Sequence, residues 1–365
     1  MRLRHHLEYA GLMAVALTMR ALPRPLALLV GAAIGQLGWW LRIRRRLVLD
    51  NLAQALGQAP RRELRRIAAR AARNFGRTTC EMVRVEGADR RRLGELVEFS
   101  GLELLREALG RGDGAIVVTC HLGAWALYVA ALSATGFPGA LLVGKQHNPK
   151  VHAFLLAIPG PLVRMISKGR TSPREILLSL REGRVVMIVA DQTSGSRGDF
   201  VPFLGRVAST LPLPAALALK HQTPLLLLAG HRVAGGRHRV TLSPLELPAV
   251  EGDAETCRYA ATAAINEALG KAILEHPEQY FWYHRRWREY RGRVAADSRQ
   301  PTANSSPTHP PKRHECGGVI DIAASLPRGQ GWVGSRRGRG FLLLTRGGGK
   351  FRLWAVGCEL LASPR

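Results

Sequence analysis

Two short stretches constrain the fold of this chain more than any other feature. Ala115–Cys120 (AIVVTC) and Val185–Ala190 (VVMIVA) are unbroken apolar runs rich in β-branched residues. A half-solvated strand alternates apolar and polar residues, so unbroken runs of this length read as strands covered on both faces. Around them lie segments with helical spacing, Gly123–Ser133, Ser172–Glu182, Leu213–His221 and Asp253–Glu275. Further strand-like runs stand at Ala140–Val143, Pro224–Gly230 and Arg237–Leu242. This alternation predicts one α/β domain, a mixed sheet flanked by helices. Such sheets collect functional groups at the carboxyl ends of their strands. His121 follows the first run directly and Asp191 the second.

Charge and cysteine content narrow the function classes. The chain carries 53 Lys+Arg against 27 Asp+Glu. Such an excess attracts polyanions: nucleic acid, anionic lipid headgroups or phosphorylated substrates. No zinc finger, RNP-like aromatic run or basic-leucine heptad accompanies it, so no nucleic acid partner is expected. The five cysteines, at 80, 120, 257, 316 and 358, include no pair with metal or redox spacing. Their odd number argues against a disulfide framework and for a reducing compartment.

The N-terminal 48 residues read as a hydrophobic membrane anchor followed by a basic cluster. Leu7–Met19 is apolar apart from Glu8. Leu26–Leu41 is interrupted only by Gln36 and ends in Trp39-Trp40, followed by Arg42, Arg44, Arg45 and Arg46. At 16 residues the second run is shorter than the roughly 20 needed to span a bilayer. Interfacial tryptophans and a following basic cluster nonetheless suit an anionic, cytoplasmic leaflet. A buried core helix and a signal peptide are the competing readings; the first run lacks a clean A-x-A-like cleavage site. Residues 49–293 form the predicted catalytic domain. Residues 294–365, rich in Ser, Thr and Pro and then in Gly and Arg, read as a low-complexity tail.

Three blocks carry candidate chemistry. The first is His121-Leu-Gly-Ala-Trp125, a histidine at a strand end just before a helix. Imidazole serves as a general base near neutral pH, and a helix N-terminus beside Gly123 favours a developing oxyanion or a phosphate. Cys120 is adjacent, but neighbouring strand residues point to opposite faces, so it reads as a small buried hydrophobe. The second block is Asp191-Gln192, followed by Gly198-Asp-Phe200-Val-Pro-Phe203-Leu-Gly205 and Ala208-Ser-Thr210. Its apolar ledge suits an acyl chain or a buried loop. The third is Pro277-Glu-Gln-Tyr-Phe-Trp-Tyr-His-Arg285-Arg286-Trp287. Its interleaved aromatics and arginines suit stacked bases, a membrane interface or lipid phosphates.

Taken in order, these blocks resemble the bacterial lipid A biosynthesis acyltransferases (the lauroyl/myristoyl type), part of the wider glycerolipid acyltransferase group. The N-terminal apolar segment, Asn51-Leu52 and the Arg-rich helical stretch running to Glu81 resemble the same family, over roughly residues 1–290. The resemblance implies transfer of a fatty acyl group from an acyl carrier protein or acyl-CoA thioester to a hydroxyl of a lipid A-type glycolipid or lysophospholipid. It implies an enzyme of the cytoplasmic face of the bacterial inner membrane that needs no cofactor and no metal. His121 would be the base. Trp125, Phe200 and Phe203 are expected to line the acyl groove, with Gly123 and Gln192 at the site. Lys145, Arg285 and Arg286 are expected to meet headgroup phosphates.

The chain departs from the family where it matters most. The H-x-x-x-x-[D/E] signature of the group has its acid five residues after the histidine, and here that residue is Ala126. The acid fixes the imidazole tautomer and steadies the imidazolium, and by analogy with triad carboxylates its loss costs on the order of 10⁴ in rate. Either Asp191, a backbone carbonyl or water orients His121 instead, or the protein is an inactive, lipid-binding relative. In addition, where the family has an Arg-rich stretch before the Asp-Gln strand this chain reads Leu156-Ala-Ile-Pro-Gly-Pro-Leu-Val163, and the nearest cations are Arg164 and Lys168.

Overall fold

The computed structural model describes residues 3–288, apart from 58, 86–87, 113 and 160–162. The tail expected at 294–365 lies outside the described residues. Four helices come first: α1 (Leu3–Ala21), α2 (Arg24–Trp40), α3 (Arg45–Leu56) and α4 (Arg61–Val85). The α/β part continues in the order α5 (Arg90–Leu96), β1 (Val97–Ser100), α6 (Leu102–Gly110), β2 (Ala115–Thr119), α7 (Trp125–Ala134), β3 (Gly139–Val143), α8 (Pro149–Ala157), β4 (Val163–Ser167), α9 (Ser172–Arg181) and β5 (Val185–Val189). A hairpin of β6 (Asp199–Phe203) and β7 (Arg206–Thr210) leads into α10 (Leu213–His221), β8 (Leu225–Arg232), β9 (His238–Pro244) and α11 (Ala254–Glu275).

Seven strands form one sheet in the order β1-β9-β8-β2-β5-β3-β4. Only β8 and β9 pair antiparallel, so the sheet is mixed, as the alternating pattern predicts. The two unbroken apolar runs become β2 and β5, side by side at the centre. Their residues divide between two cores. Ile116, Val118, Val186 and Ile188 pack on one face with α4, α9, α10 and α11. Ala115, Val117, Val185 and Met187 pack on the other with α1 and α7. Burial on both faces is why these strands show no polar alternation.

Short or charged segments give no strand signal in the sequence. Neither VEFS (β1) nor VRMIS (β4) has a run long enough to announce a strand. The apolar ledge at 200–204 is the β6–β7 hairpin. Its Leu204-Gly205 turn places both residues at positive φ, 49° and 79°, the backbone that closes two-residue hairpins.

The N-terminal helices pack on the domain. In α2, Gly31 and Gly35 lie so close to α4 that a Cβ on either would collide with the backbone of Gly76 or Ala72. One face of α2 is therefore an internal helix–helix contact, and the other carries exposed Leu26, Leu29, Ile34, Leu37 and Trp40. No single described helix is long and apolar enough to cross a bilayer; α2 and α3 reach that composition only as a pair bent by 95°.

Candidate active site

Register alone brings His121 and Asp191 together. β2 and β5 pair in parallel from Ala115 opposite Val185 to Thr119 opposite Val189. Ala190 N–H donates to Thr119 O and carries the pairing past the strand ends. Two residues further on, the same offset sets His121 against Asp191. The contact is double. His121 Nδ1 lies 2.8 Å from Asp191 Oδ1, and the His121 backbone N–H donates to Oδ2 at 3.1 Å. Asp191 is 1% exposed and His121 8%. Asp191 thus touches the imidazole as the acid missing at 126 is expected to.

Burial pushes the Asp191 carboxyl up. The charge of His121, its two hydrogen bonds and a hydrogen bond from Tyr280 outweigh burial and hold the pKa at about 2. Burial and the Asp191 charge push the Tyr280 phenol well above its usual range, so it remains a donor. With Asp191 ionised, Nδ1 carries the proton and the lone pair sits on Nε2. The Gln192 amide nitrogen lies 3.2 Å from that atom. Trp125 meets the imidazole edge-on with centroids 5.1 Å apart, and Phe281 packs at 6.0 Å.

The turn after His121 is gripped from three sides. Phe281 N–H donates to His121 O, and Gly123 N–H donates to Gln279 O. The Thr78 hydroxyl donates to Gly123 O, and Ala124 N–H donates to the Tyr128 hydroxyl. Gly123 has φ +57°, and a Cβ there would collide with that hydroxyl. The Tyr128 hydroxyl in turn lies 3.0 Å from His238 Nδ1, and His238 Nε2 meets Glu81 at 2.9 Å. Burial would raise Glu81, but Arg232 and His238 hold it down to about 2. Arg232 also reaches Asn74, Thr78 and Gln279, joining the grips into one buried polar network. The N–H groups of Gly123 and Ala124 are thus engaged within the protein. The helix after this turn starts at Trp125 with Ala124 as its N-cap, two residues into the Gly123–Ser133 segment.

His121 stands at an open cavity. Leu141, Leu155, Leu156, Ile158, Met165 and Val189 make its walls apolar. Trp125, Gln192 and Ala126 also line it, the last at the second helical position of α7. Lys168 stands at the cavity, whereas Arg164 pairs with Glu182 at 2.8 Å on the surface. Lys145 is exposed on the loop between two lining residues, Gly144 and Gln146.

Other expected residues lie elsewhere. Phe200 and Phe203 belong to the hairpin and do not line this cavity. Strand alternation turns Phe203 inward with Val201, and it borders a separate groove against α11. Arg286 is 3% exposed. It donates to Ser209 O and Thr210 Oγ1, and its guanidinium covers the Phe203 ring at 4.6 Å. It ties the hairpin into the interior instead of facing a headgroup; Arg285 beside it is exposed. The aromatic block acts as a strap over the site. Asn51 Nδ2 donates to Trp282 O and His284 O, and His284 Nε2 accepts Thr193 N–H. Burial holds the His284 pKa down to about 3, which keeps it neutral as that acceptor. Sequence reasoning missed the roles of Tyr280, Tyr128, His238 and the Glu81–Arg232 hub, most of whose contacts join residues far apart in the chain and leave no local pattern.

Comparison with known proteins identifies a family. Residues 2–289 match the family described as bacterial lipid A biosynthesis acyltransferase. The chain is 26% identical over 294 residues to the lipid A biosynthesis lauroyltransferase of Escherichia coli K12, covering 78% of this chain and 92% of that protein. It is 24% identical over 289 residues to the lipid A biosynthesis palmitoleoyltransferase of the same organism and to a lipid A biosynthesis acyltransferase of Shigella flexneri, with the same coverages. With the family match running through every block around His121 and Asp191, this chain belongs to the bacterial lipid A biosynthesis acyltransferases and is an acyltransferase.

Proposed function

We propose that the protein transfers a fatty acyl group from an acyl carrier protein or acyl-CoA thioester to a hydroxyl of a lipid A-type acceptor, with Asp191 serving in place of the acid missing at 126. The observation that carries this reading is the 2.8 Å contact between His121 Nδ1 and Asp191 Oδ1 at the mouth of an apolar cavity. A carboxylate there fixes the tautomer with Nε2 as the base and stabilises the imidazolium.

The acceptor hydroxyl gives its proton to Nε2 as its oxygen attacks the thioester carbonyl. The carbonyl π electrons move to oxygen, and the Gln192 amide is placed to donate to that oxyanion. Collapse breaks the C–S bond, and the imidazolium returns the proton to the departing sulfur. The ester and the free thiol are the products. The acyl chain lies in the cavity, where each buried methylene contributes about 0.8 kcal/mol. Lys145, Lys168 and Arg285 meet the acceptor's phosphates in this reading.

The protein works at the cytoplasmic face of the inner membrane. Of the thirteen large apolar side chains exposed among the described residues, ten lie between Leu3 and Leu41 on α1, α2 and the turn after them. That concentration, followed by Arg42, Arg44, Arg45 and Arg46, favours helices lying in the plane of an anionic leaflet. The second reading, a lipid-binding relative without turnover, rests on Ala126. Mass spectrometry of a lipid A precursor incubated with the protein in vesicles and with dodecanoyl thioesters of carrier protein or CoA separates the two. A gain of one acyl group supports transfer and identifies the donor; binding without any mass gain supports the inactive relative.

A further inference from the structure

Asp191 is 1% exposed, so its carboxylate depends on buried donors. Two come from His121, through Nδ1 and the backbone N–H. Both belong to the residue that changes charge during turnover, and a carboxylate held by them alone can turn with the ring. A third donor, the Tyr280 hydroxyl, comes from a different part of the chain. Tyr280 is fixed firmly for a residue outside any helix or strand. It forms an antiparallel bridge to Leu122, flanked by Gly123 N–H donating to Gln279 O and Phe281 N–H donating to His121 O. The Gln279 side chain accepts Arg232 N–H at 2.7 Å and donates to Arg232 O at 3.0 Å. Asn74 Nδ2 donates to Glu278 O at 2.7 Å, and Trp282 Nε1 to Pro277 O at 2.6 Å. The Tyr280 ring meets that of the buried Trp282 edge-on at 4.7 Å. Contacts to α4, to β8 and within the strap thus hold the phenol in one place. Tyr280 does not line the apolar cavity at His121.

Resting on the acyl-transfer reading, we infer that Tyr280 is a positioning residue for the reaction: its hydroxyl ties the Asp191 carboxylate to the strap, which keeps Oδ1 aimed at Nδ1, and draws on the carboxylate's charge, which lets Asp191 steady the imidazolium without trapping it. A carboxylate that already accepts from a fixed neutral donor attracts a neighbouring cation less than one that does not. Loss of the hydroxyl therefore has two separable consequences. The dyad loses alignment, which slows turnover. Asp191 also grips the imidazolium harder, which keeps His121 protonated to higher pH. The other charged and titratable groups around the pair do not change state near neutral pH. Burial pushes the Cys120 thiol well above its usual range and keeps His284 neutral, and Arg44 and Arg286 stay cationic.

The test follows acyl transfer by the full chain in vesicles as a function of pH, with dodecanoyl-acyl carrier protein and a lipid A precursor as probes. Tyr280→Phe should lower the plateau kcat at least about tenfold and leave both KM values within about twofold, because the lost hydroxyl does not face the cavity. The acid limb of kcat/KM should move up by at least about half a pH unit, a shift that loosened packing alone does not produce. Should thermal melting show Tyr280→Phe to be unfolded, Tyr280→meta-fluorotyrosine, a stronger donor of nearly the same shape, replaces it and should move the limb down. In the folded variant, a limb that stays in place, a smaller fall in kcat or a larger rise in either KM overturns the inference while leaving acyl transfer standing. Absence of any transfer by the wild-type protein overturns both.

Discussion

Replacing Asp191 by asparagine removes one charge while keeping the side-chain shape, and the double contact with His121 sets the consequence. Oδ2 accepts the buried backbone N–H of His121 at 3.1 Å, and Oδ1 faces Nδ1 at 2.8 Å. An asparagine must keep its carbonyl oxygen toward the backbone N–H, because a buried donor left without a partner costs about 1–3 kcal/mol. Its NH₂ then faces Nδ1, which must become an acceptor, so the ring proton moves to Nε2. That leaves no base aimed at the substrate and no anion to steady an imidazolium. By analogy with the Asp→Asn change in a serine protease triad, kcat should fall by about 10⁴, or ~5.5 kcal/mol of barrier. Substrate KM should stay within a few-fold, because Asp191 is buried behind the imidazole. The carboxyl is held at about 2, so Asp191 remains charged in the wild type throughout pH 5–9 and the deficit should be similar across that window. Single-turnover transfer from dodecanoyl-acyl carrier protein, followed across that range, measures it. An Asp191→Asn protein within tenfold of wild type would refute the reasoning.

Ala126→Glu restores the family's signature but should not raise activity. The new carboxylate enters an apolar cavity whose imidazole already has a partner, and kcat/KM for long-chain donors should fall at least tenfold in a donor chain-length series. Tyr128→Phe leaves Ala124 N–H and His238 Nδ1 without their buried partner, and should lower unfolding free energy by about 2–4 kcal/mol in urea titrations. His284 is neutral when folded because burial holds its pKa near 3, whereas the unfolded chain binds a proton below about 6.5. Stability should therefore fall as pH drops from 6.5 towards 3. His284→Gln, which cannot gain a proton, should show a shallower decline in urea midpoints over that interval.

Much of the fold is legible in the sequence because β2 and β5 are buried on both faces and so announce themselves as unbroken apolar runs. The strand ends carrying His121 and Asp191 emerge from that pattern, and Asp191 stands among the candidate partners of the imidazole. What the pattern withholds is register. Whether Asp191 lies beside His121 or one strand away depends on strand order, which no local pattern encodes. Phe203 and Arg286 mislead for a related reason: an apolar ledge and an arginine look alike in sequence whether they meet a ligand or each other. Phe203 lies beneath the Arg286 guanidinium at 4.6 Å, and the pair holds the hairpin to the domain. The Glu81–His238–Tyr128 network leaves no trace because its members come from α4, β9 and α7. The N-terminal hydropathy stands out in the sequence, yet glycine contacts between α2 and α4 bury one face of what looks there like a free-standing apolar helix.

The central claim is that His121, oriented by Asp191, moves the acceptor's proton. Its most direct measurement compares the first-turnover rate of acyl transfer to a lipid A precursor in wild type and His121→Ala at matched protein levels in vesicles. The account predicts measurable transfer by wild type and a loss of at least about 10³ in the alanine variant. Equal rates in the two proteins, or no transfer by either, would contradict it.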